Sequence, residues 1–451
     1  MTSIREVLAK PFFETKGVGN AIFDDGNTMS VNFKIEVFSN GTITGNLKFQ
    51  SPDPKIWQLF EGISFFTLKG KSDPNKEDII ATRCLITSIS DFSEGKFSAF
   101  KVIVNPQILK TKPTTKLLFK FSLINVRQTF RVVVDTEIGE LWLAHHPDIN
   151  ELEQIMKLHR MSLVTSTAEI STQVDGSKSL DAIVDKTTEI VQNFLKITSL
   201  AQTSWHDWAW LQVYEKTDAS DEYQRIFLTF SSPKRKPPIS RGITNLAHSA
   251  HFFEAAWKGF SPLLNEKYGF DVALEWYIES NLATVAESQF ICATTCLEML
   301  MDKFHSQRGT EFLLEKEMFD EFYDAIKNYS RDWLKDRKIS KETRAAIYRA
   351  MLGLNRKQYV DKMKELLVHL GVEYSDVGIT LEEIIDVRDQ ITHRGIYYET
   401  DEKGFQMVFK AYEGLFSILT RIFLAMLKYN EQYYDPTKQK WLRFAEVCNK
   451  I

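Results

Sequence analysis

The chain has 451 residues, of which 43% are hydrophobic and 26% are charged. This length exceeds the roughly 250 to 300 residues at which a single hydrophobic core stops growing, so we predict two or three domains, and the composition excludes a largely disordered protein. The formal net charge of -4 excludes a protein that binds nucleic acid over its whole surface, although one basic face is still allowed.

The cysteines indicate a reducing environment. The chain contains four of them, Cys84, Cys292, Cys296 and Cys448, which are too few for a disulfide framework in a chain of this size. We therefore expect a cytoplasmic protein. Cys292 and Cys296 share one face of a predicted helix, but no histidine or third cysteine lies close enough in sequence to complete a zinc site. Buried thiols are therefore favoured over metal ligands.

Neither a targeting segment nor a cofactor site is predicted. The amino terminus lacks the apolar core of a signal peptide, and the longest apolar stretch is interrupted by Thr420 and Arg421, so we expect no membrane span. Lys71 and Ser72 resemble the end of a phosphate-binding loop, but Phe65 stands where that loop requires its first glycine. We therefore predict no bound cofactor and no metal.

Residues 1 to about 140 have the alternation of β-strands. Val31, Phe33 and Ile35 alternate with polar residues, and Asn40-Gly41 predicts a type I′ hairpin turn before the alternation resumes. Further strands are predicted at 97–104, 116–124 and 129–134. Because glycine, proline, asparagine and serine separate these runs, we predict a sandwich-like fold or a twisted antiparallel sheet.

The residues from 141 to 240 combine one helix with more strands. Apolar residues recur at helical spacing from Ile183 to Ile197, which predicts an amphipathic helix. Trp208 and Trp210 belong to an alternating aromatic run that indicates a strand. Stacking on a nucleobase is one use of such residues. Packing in the core is the favoured interpretation, because alternating aromatic side chains have a sheet face to fill.

A proline-rich basic stretch at 231–238 separates the two halves of the chain. Lys234, Arg235 and Lys236 lie between prolines, which keep their neighbours away from helical conformations. The favoured interpretation is a solvated hinge, and phosphate contact by the three basic residues is the alternative. We therefore predict a β-rich region over 1–240, with a subdivision near 140, and a helical domain over 241–451.

The second half has the periodicity of a helical bundle. Helical spacing is clear at 275–304, 312–326 and 405–429. Between these stretches, 331–364 contains eleven Lys or Arg against four Asp or Glu, which leaves a net charge of +7 in an acidic protein. Such an excess attracts a polyanion if its charges converge on one face. The alternative is a pair of exposed helices that need charge for solubility.

The second half is organised around the helix that carries Arg388 and His393. Thr380 and Glu383 have the spacing of a capping box, so a helix is predicted to begin there, and Gly395 is a suitable carboxyl-terminal stop. At about 100° per residue, Arg388 and His393 would lie about 140° apart on an ideal helix. Either the helix unwinds before His393, or the Arg388 side chain wraps around it, or the two groups meet their partners on a second copy of the chain.

Arg388 and His393 have the chemistry needed to cleave RNA. A guanidinium binds the scissile phosphate and stabilises the charge that develops on it. A histidine at a helix carboxyl terminus, where partial negative charge favours the protonated ring, can transfer a proton at the ribose 2′-hydroxyl or the leaving 5′-oxygen. The spacing alone is a weak pattern, however, and a salt-bridged surface arginine beside a capping histidine is the common alternative.

The stretch from Arg388 to His393 resembles the Arg-x4-6-His motif of HEPN domains, including the polar residue, Asp389, that follows the arginine. The predicted helix that contains Leu297 and Glu298 resembles the helix of Apea-like HEPN proteins that carries a Leu-Glu pair. The β-rich first half also resembles the amino-terminal region of that subgroup, whose members act in bacterial defence against phage by abortive infection.

The resemblance implies an α+β protein that ends in an all-α HEPN bundle and acts as a metal-independent endoribonuclease. Two copies would join their Arg-x4-His motifs in one cleft of a homodimer. The implied substrate is RNA, with tRNA as one candidate. Arg388 would bind the phosphate, His393 would act as general acid or base, and Asp389 would orient one of them or hold the dimer. The further candidates for RNA contacts are Arg394, Arg344, Arg349, Arg356 and Lys357.

Two competing functions stay open. A catalytically inactive HEPN module would only dimerise and bind RNA or a protein partner. A DNA-directed nuclease would need acidic metal-binding clusters, which are not evident in the sequence. In the favoured hypothesis the β-rich region senses a phage-derived or cellular trigger and restrains or releases the nuclease.

Overall fold

A computed structural model of the chain describes residues 10–50, 65–90, 93–128, 130–159, 162–216, 222–232, 242–244, 248–395, 402–435 and 437–444. The chain divides into two compact units, Met1–Lys258 and Gly259–Ile451. The first is built mainly of strands and the second mainly of helices, which confirms the predicted α+β class with the β-rich region first. The predicted hinge residues Lys234, Arg235 and Lys236 lie outside the described residues.

In the part of the chain that the structure describes, thirteen strands of the first unit form one sheet in which neighbouring strands are antiparallel. They are β1 (Phe13–Phe23), β2 (Thr28–Val37), β3 (Ile43–Phe49), β4 (Phe65–Asp73), β5 (Asp78–Ser90), β6 (Glu94–Ser98), β7 (Lys101–Val104), β8 (Lys116–Ile124), β9 (Val132–Thr136), β10 (Gly139–His145), β11 (Val164–Gln173), β12 (Asp207–Lys216) and β13 (Tyr223–Ser231). From β5 the sheet continues through β7, β13, β12, β8, β11 and β10 to β9.

The first six strands close on themselves. β4 pairs with β1 through Ala21 and Leu68 and with β5 through Leu68 and Ala81, which completes the circular order β1, β2, β3, β6, β5, β4. The alternating residues that predicted β2, such as Val31 and Ile35, are fully buried inside this closed sheet. The sandwich alternative is therefore wrong, because one continuous sheet curls around its own core instead of two sheets facing each other.

The predicted hairpin joins β2 and β3, but its turn differs from the prediction. The Phe38 carbonyl accepts a hydrogen bond from the Gly41 N–H at 2.9 Å. Gly41 has a φ of 78°, whereas Asn40 is not among the described residues with positive φ. A type I′ turn requires positive φ at both central residues. The hairpin is confirmed, and the type I′ assignment is wrong.

The aromatic run of β12 lies in the core. Trp208 and Trp210 are 7% and 5% exposed. The Trp208 ring meets the Phe121 ring of β8 edge-on, with 5.9 Å between the ring centroids. The predicted core packing is confirmed, and neither indole is accessible to a nucleobase.

Helices cover part of the first unit and extend it beyond the predicted boundary. They are α1 (Ile149–His159), α2 (Leu180–Gln202) and α3 (Ser249–Gly259). α2 contains the helix predicted from Ile183 to Ile197. The rings of Phe253 and Trp257 on α3 each lie 5.8 Å from the ring of Phe194 on α2. Because these contacts fasten α3 to α2, the first unit runs to Lys258 instead of ending near residue 240.

The second unit is helical except at its end. Its helices are α4 (Leu263–Tyr268), α5 (Phe270–Leu282), α6 (Ala286–Arg308), α7 (Lys316–Asp336), α8 (Lys341–Met351), α9 (Tyr359–His369), α10 (Leu381–Arg394) and α11 (Glu402–Met426). The strands β14 (Gln432–Asp435) and β15 (Lys440–Arg443) form an antiparallel hairpin after α11, so the prediction of an all-α domain is wrong at this end. The helical stretch predicted at 275–304 is two helices, because Ala283 is extended, with a ψ of 144°.

Helix α6 is the centre of the bundle. It packs against α5, α9, α10 and α11, and its residues Phe290 and Leu297 are fully buried. Tyr277 of α5 and Phe416 of α11 stack beside it with 4.6 Å between their ring centroids. None of the helices within the described ranges is apolar over a length that could cross a membrane.

The described cysteines are thiols of the interior. Cys84 and Cys296 are fully buried, Cys292 is half-buried, and all three are free. Burial raises the pKa of Cys84 to about 12, so this thiol stays protonated. The prediction of buried thiols is confirmed for Cys296, whereas Cys292 is only half-buried, and Cys448 lies outside the described residues.

Candidate functional site

Helix α10 begins and ends where the sequence predicts. The Thr380 hydroxyl accepts a hydrogen bond from the Glu383 N–H at 3.1 Å, and the Glu383 carboxylate accepts one from the Thr380 N–H at 2.8 Å, which completes the capping box. Gly395 follows the last turn with a φ of 78°. The helix is continuous through Arg388 and His393, so it does not unwind before the histidine.

Arg388 is held between two carboxylates. Its Nε and Nη2 donate to Oε1 of Glu298 on α6 at 3.0 and 2.6 Å, and its Nη1 donates to Oδ1 of Asp389 at 2.9 Å. Burial opposes the guanidinium charge, but the hydrogen bonds to Asp389 and Glu298 outweigh it and raise the pKa of Arg388 above its ordinary value. The Arg388 side chain is 29% exposed. Its charge is therefore permanent and reachable from solvent.

An aromatic ring supports the Arg388 guanidinium. Its Cζ lies 5.0 Å from the ring centroid of Tyr359, the first residue of α9, which is a cation–π distance. The Tyr359 hydroxyl is buried and has no hydrogen-bond partner among the described residues. Burial, with the nearby charge of Glu298, raises the pKa of Tyr359, so the hydroxyl stays protonated. Nothing in the sequence pointed to Tyr359, because it meets Arg388 only in the folded bundle.

His393 is separated from Arg388 within one copy of the chain. It is exposed in the last turn of α10, and it has no hydrogen-bond or ion-pair partner in the described part of the chain. The Arg388 side chain points to Glu298 and Asp389, so it does not wrap around the helix toward His393. On a continuous helix the two residues diverge by about 140°. Neither unwinding nor wrapping joins them in a single copy.

The basic segment 331–364 divides into paired and unpaired charges. Lys357 Nζ donates to both carboxylate oxygens of Glu365 at 2.6 and 2.8 Å, and its side chain is 17% exposed. Because Glu365 neutralises it, Lys357 is a weak candidate for an RNA contact. The other candidates, which have no ion-pair partner within the described ranges, are Arg344, Arg349, Arg356 and Arg394.

A second arginine of the bundle lies at the centre of a buried network. Arg421 on α11 is 0% exposed and donates to Asp376 at 2.5 Å, to Asp435 at 2.8 Å and to the Glu373 carbonyl at 2.7 Å. Its Nε donates to the Tyr433 hydroxyl at 3.1 Å. Burial opposes the charge, but the carboxylates outweigh it and raise the pKa of Arg421. This network connects β14 and the segment before α10 to α11, and its role is structural.

A polar groove of about 520 Å³ lies on β1, β2, β3 and β6 of the first unit. One row of residues across these strands consists of Lys16, Lys34, Asn46 and Lys96. Lys34 forms an ion pair with Glu36 at 2.6 Å, so part of the positive charge is neutralised. The groove is a candidate site for a polar ligand within the described part of the first unit. Among the described residues, no group of three or more His, Cys, Asp and Glu side chains is arranged to hold a metal ion.

Comparisons of the chain with protein-family models, with curated proteins and with solved structures return no match. A function for this chain therefore has to be argued from its own residues, and the resemblance to HEPN proteins stays a prediction.

Proposed function

We propose that this protein is a metal-independent endoribonuclease of the HEPN type that acts as a homodimer in bacterial defence against phage. Its substrate is RNA, with tRNA as one candidate. Arg388 binds the scissile phosphate, His393 transfers the proton, and Asp389 positions Arg388 through their hydrogen bond. The enzyme acts in the cytoplasm, where the β-rich unit responds to a phage-derived or cellular trigger.

The observation that carries this proposal is the accessibility of Arg388. Its side chain is 29% exposed, and the side chains of its partners Glu298 and Asp389 are 33% and 49% exposed. Partly exposed carboxylates contribute little to stability, and a phosphate oxygen can replace them with equally strong charge-assisted hydrogen bonds. Arg388 is therefore oriented before the substrate arrives and is still free to bind it.

In the proposed reaction, the ribose 2′-oxygen attacks the adjacent phosphorus and the bond from phosphorus to the 5′-oxygen breaks. The products are a 2′,3′-cyclic phosphate and a 5′-hydroxyl. His393 removes the proton of the 2′-hydroxyl as a neutral base, and the imidazolium that forms donates this proton to the leaving 5′-oxygen as an acid. Arg388 stabilises the negative charge on the non-bridging oxygens of the phosphate.

The divergence of Arg388 and His393 supports a site built from two copies. A two-fold axis beside α10 would bring Arg388 of one copy to the same phosphate as the histidine of the other copy. Such an interface is self-complementary, which is the common arrangement in homodimers. Each dimer would then contain two equivalent pairs, and each pair would need both copies.

Mixing two inactive variants tests the reaction and the dimer together. We expect the purified full-length protein to cut total RNA and tRNA in the presence of a chelator, and Arg388→Ala and His393→Ala each to abolish cleavage. A mixture of the two variants should regain activity, because the mixed dimer keeps one intact pair. No cleavage by the native protein, with cell toxicity unchanged in both variants, would reject the nuclease. Cleavage without rescue in the mixture would reject the shared site.

The second candidate function is an inactive module that dimerises and binds RNA or a protein partner. It is favoured by the two carboxylates that already neutralise Arg388. This alternative predicts that Arg388→Ala and His393→Ala leave phage defence unchanged, while charged substitutions on the bundle surface abolish it. A plaque assay with cells that express each variant separates the two functions.

A further inference from the structure

Helices α7 and α8 form the least buried part of the helical unit. Only Phe319 and Leu334 are buried among the 21 residues of α7, and no residue of α8 is buried. The connection between the helices is nevertheless well defined. Lys338 has a φ of 56°, and Ser340 caps α8 by accepting a hydrogen bond from the Thr343 N–H at 3.2 Å. The two helices therefore present an ordered surface that the rest of the bundle leaves uncovered.

Large aromatic side chains occupy the exposed face of α7. Phe322, Tyr329 and Trp333 are 45%, 86% and 52% exposed. Their spacing keeps them within about 40° of one another around the helix axis. The buried residues of α7 are Phe319 and Leu334, whereas these three rings are exposed, so the rings are not part of the core that covers the helix. Large exposed apolar side chains grouped on one face of a helix mark an interaction surface.

The charge of α7 changes sign along its length. Residues 316–326 contain one basic and four acidic residues, whereas 327–338 contain five basic and two acidic residues. The exposed rings of Tyr329 and Trp333 lie in the basic half. None of the basic residues around them has an ion-pair partner within the described chain; they are Lys327, Arg331, Lys335, Arg337, Lys338, Lys341 and Arg344. This charge favours a polyanion at the end of α7.

Arg337 lies against the ring of Trp333 and leaves part of that ring exposed. The Arg337 Cζ lies 4.0 Å from the centroid of the Trp333 ring, so the guanidinium covers one part of the indole at a cation–π distance. The exposed part of the ring offers a flat surface to a base. Tyr329 offers a second ring one helical turn earlier. Proteins that bind single-stranded nucleic acid usually do so with aromatic rings together with unpaired cations.

We propose that the end of the α7–α8 hairpin, defined by Tyr329, Trp333, Arg337, Lys338 and Lys341, is a binding site for single-stranded RNA. Bases stack on the two rings, and the cations contact the phosphates. The choice of RNA rests on the proposed function, but the site consists of residues separate from Arg388 and His393 and binds without cleaving. A protein partner is less suited, because the rings lie among unpaired cations.

Binding to a labelled single strand tests the site directly. The probe is a short fluorescein-labelled oligoadenylate, and its anisotropy is measured with full-length protein that carries His393→Ala, so that cleavage does not interfere. Trp333→Ala is expected to weaken binding by about tenfold, the effect of losing one stacked base, and Trp333→Phe is expected to weaken it less. Arg337→Gln combined with Lys338→Gln should lower the slope of log affinity against log salt by about 0.7 for each lost phosphate contact.

The first unit supplies a matched control. Trp142 on β10 is 40% exposed, and Arg131 Cζ lies 3.1 Å from its ring centroid. Its indole N–H donates to Glu140 at 3.0 Å, so its surroundings include an acid. Like Trp333→Ala, Trp142→Ala removes a partly exposed tryptophan whose ring lies against an arginine. It is expected to leave the affinity for oligoadenylate unchanged.

Three outcomes decide the proposal. Equal affinities of the Trp333→Ala and Trp142→Ala variants would overturn it. A Trp333→Ala variant that keeps its affinity for RNA but changes its mass in sedimentation would also overturn it, because the rings would then serve contact between proteins. Loss of binding in Trp333→Ala, with binding retained in Trp142→Ala, would support the site even if the native protein cut no RNA, so the failure of the nuclease is distinguishable from the failure of this site.

Discussion

Arg421 and Arg388 belong to the same helical unit and are each bound by two carboxylates, but only one of them is sealed from solvent. The side chains of Arg421 and its partner Asp435 are both 0% exposed, whereas Arg388 and Glu298 are 29% and 33% exposed. A buried pair of charges depends on its partners because neither ion can return to water. A partly exposed pair exchanges its partner with ions from solution. The same residue type is therefore structural in one place and available to a ligand in the other.

The largest expected effect is the loss of stability on replacing Arg421. Arg421→Ala leaves Asp435 charged and buried without its main partner, so the free energy of unfolding should fall by about 3 to 5 kcal/mol. Arg388→Ala leaves its partners facing solvent and should cost less than about 1 kcal/mol. Urea titration of both variants, followed by the helical circular-dichroism signal, measures the difference. Equal losses of the free energy of unfolding in the two variants would contradict the difference between the buried and the partly exposed arginine.

The effects of substituting the two arginines on catalysis should have the opposite order to their effects on stability. Arg388→Ala is expected to lower kcat/KM for RNA cleavage by about 100-fold or more, because it removes a group that stabilises charge in the transition state. Arg421→Lys keeps a cation in the buried network and should leave the activity of the folded fraction unchanged. Initial rates with a labelled RNA, corrected for the folded fraction, measure both. An Arg388→Ala enzyme of native activity would contradict the role of Arg388.

The buried network also predicts a response to acid. Burial opposes the charge on Asp435, but hydrogen bonds from Arg421 and Thr437 outweigh it and hold the pKa of Asp435 below its ordinary value of 3.8. Because the folded-state pKa is depressed, the unfolded chain takes up the proton first. The stabilisation is therefore complete above about pH 5 and is lost as the pH falls below about 4. Urea titrations over this range should show a smaller loss in Asp435→Asn than in the native protein, and the same loss in both would contradict the network.

The local parts of the candidate site were predictable from the sequence, and its long-range parts were not. Thr380, Glu383 and Gly395 lie next to the helix ends that they define, so a capping box and a terminal glycine located α10. Glu298 and Tyr359 reach Arg388 from α6 and α9, and no local pattern encodes that meeting. The charge count of 331–364 likewise could not distinguish a neutralised lysine from an unpaired one.

The prediction of the sheet was limited in the same way, because its strands could be located from the sequence but their order could not. A strand-like run bounded by turn-forming residues located β8 at the residues where it lies, Lys116–Ile124. The closure of β1 on β4 was missed, since the pairing of Ala21 with Leu68 joins residues far apart in the chain. Strand positions follow from local pattern, whereas strand order depends on contacts that form only on folding.

A smaller effect is expected at the partner of Arg388. Glu298→Gln keeps an acceptor oxygen for the guanidinium but removes the negative charge that competes with a phosphate. The affinity for RNA should rise by about two- to fivefold, which corresponds to the loss of one partly exposed ion pair. Anisotropy in the His393→Ala background measures it, with Asp376→Asn in the Arg421 network as the matched control. An unchanged affinity would mean that Glu298 does not occupy the position of the phosphate.

The last expected difference concerns two tyrosine hydroxyls. The Tyr433 hydroxyl accepts from Arg421 at 3.1 Å and donates to Asp435 at 3.2 Å, so Tyr433→Phe should cost about 1 to 2 kcal/mol. The Tyr359 hydroxyl is buried and has no partner among the described residues, so Tyr359→Phe should be neutral or stabilise by up to about 1 kcal/mol, while the ring keeps its contact with Arg388. Urea titration measures both variants. If the two costs were equal, the Tyr359 hydroxyl would have a partner in solution, and the surroundings of Arg388 would be as fully satisfied as those of Arg421.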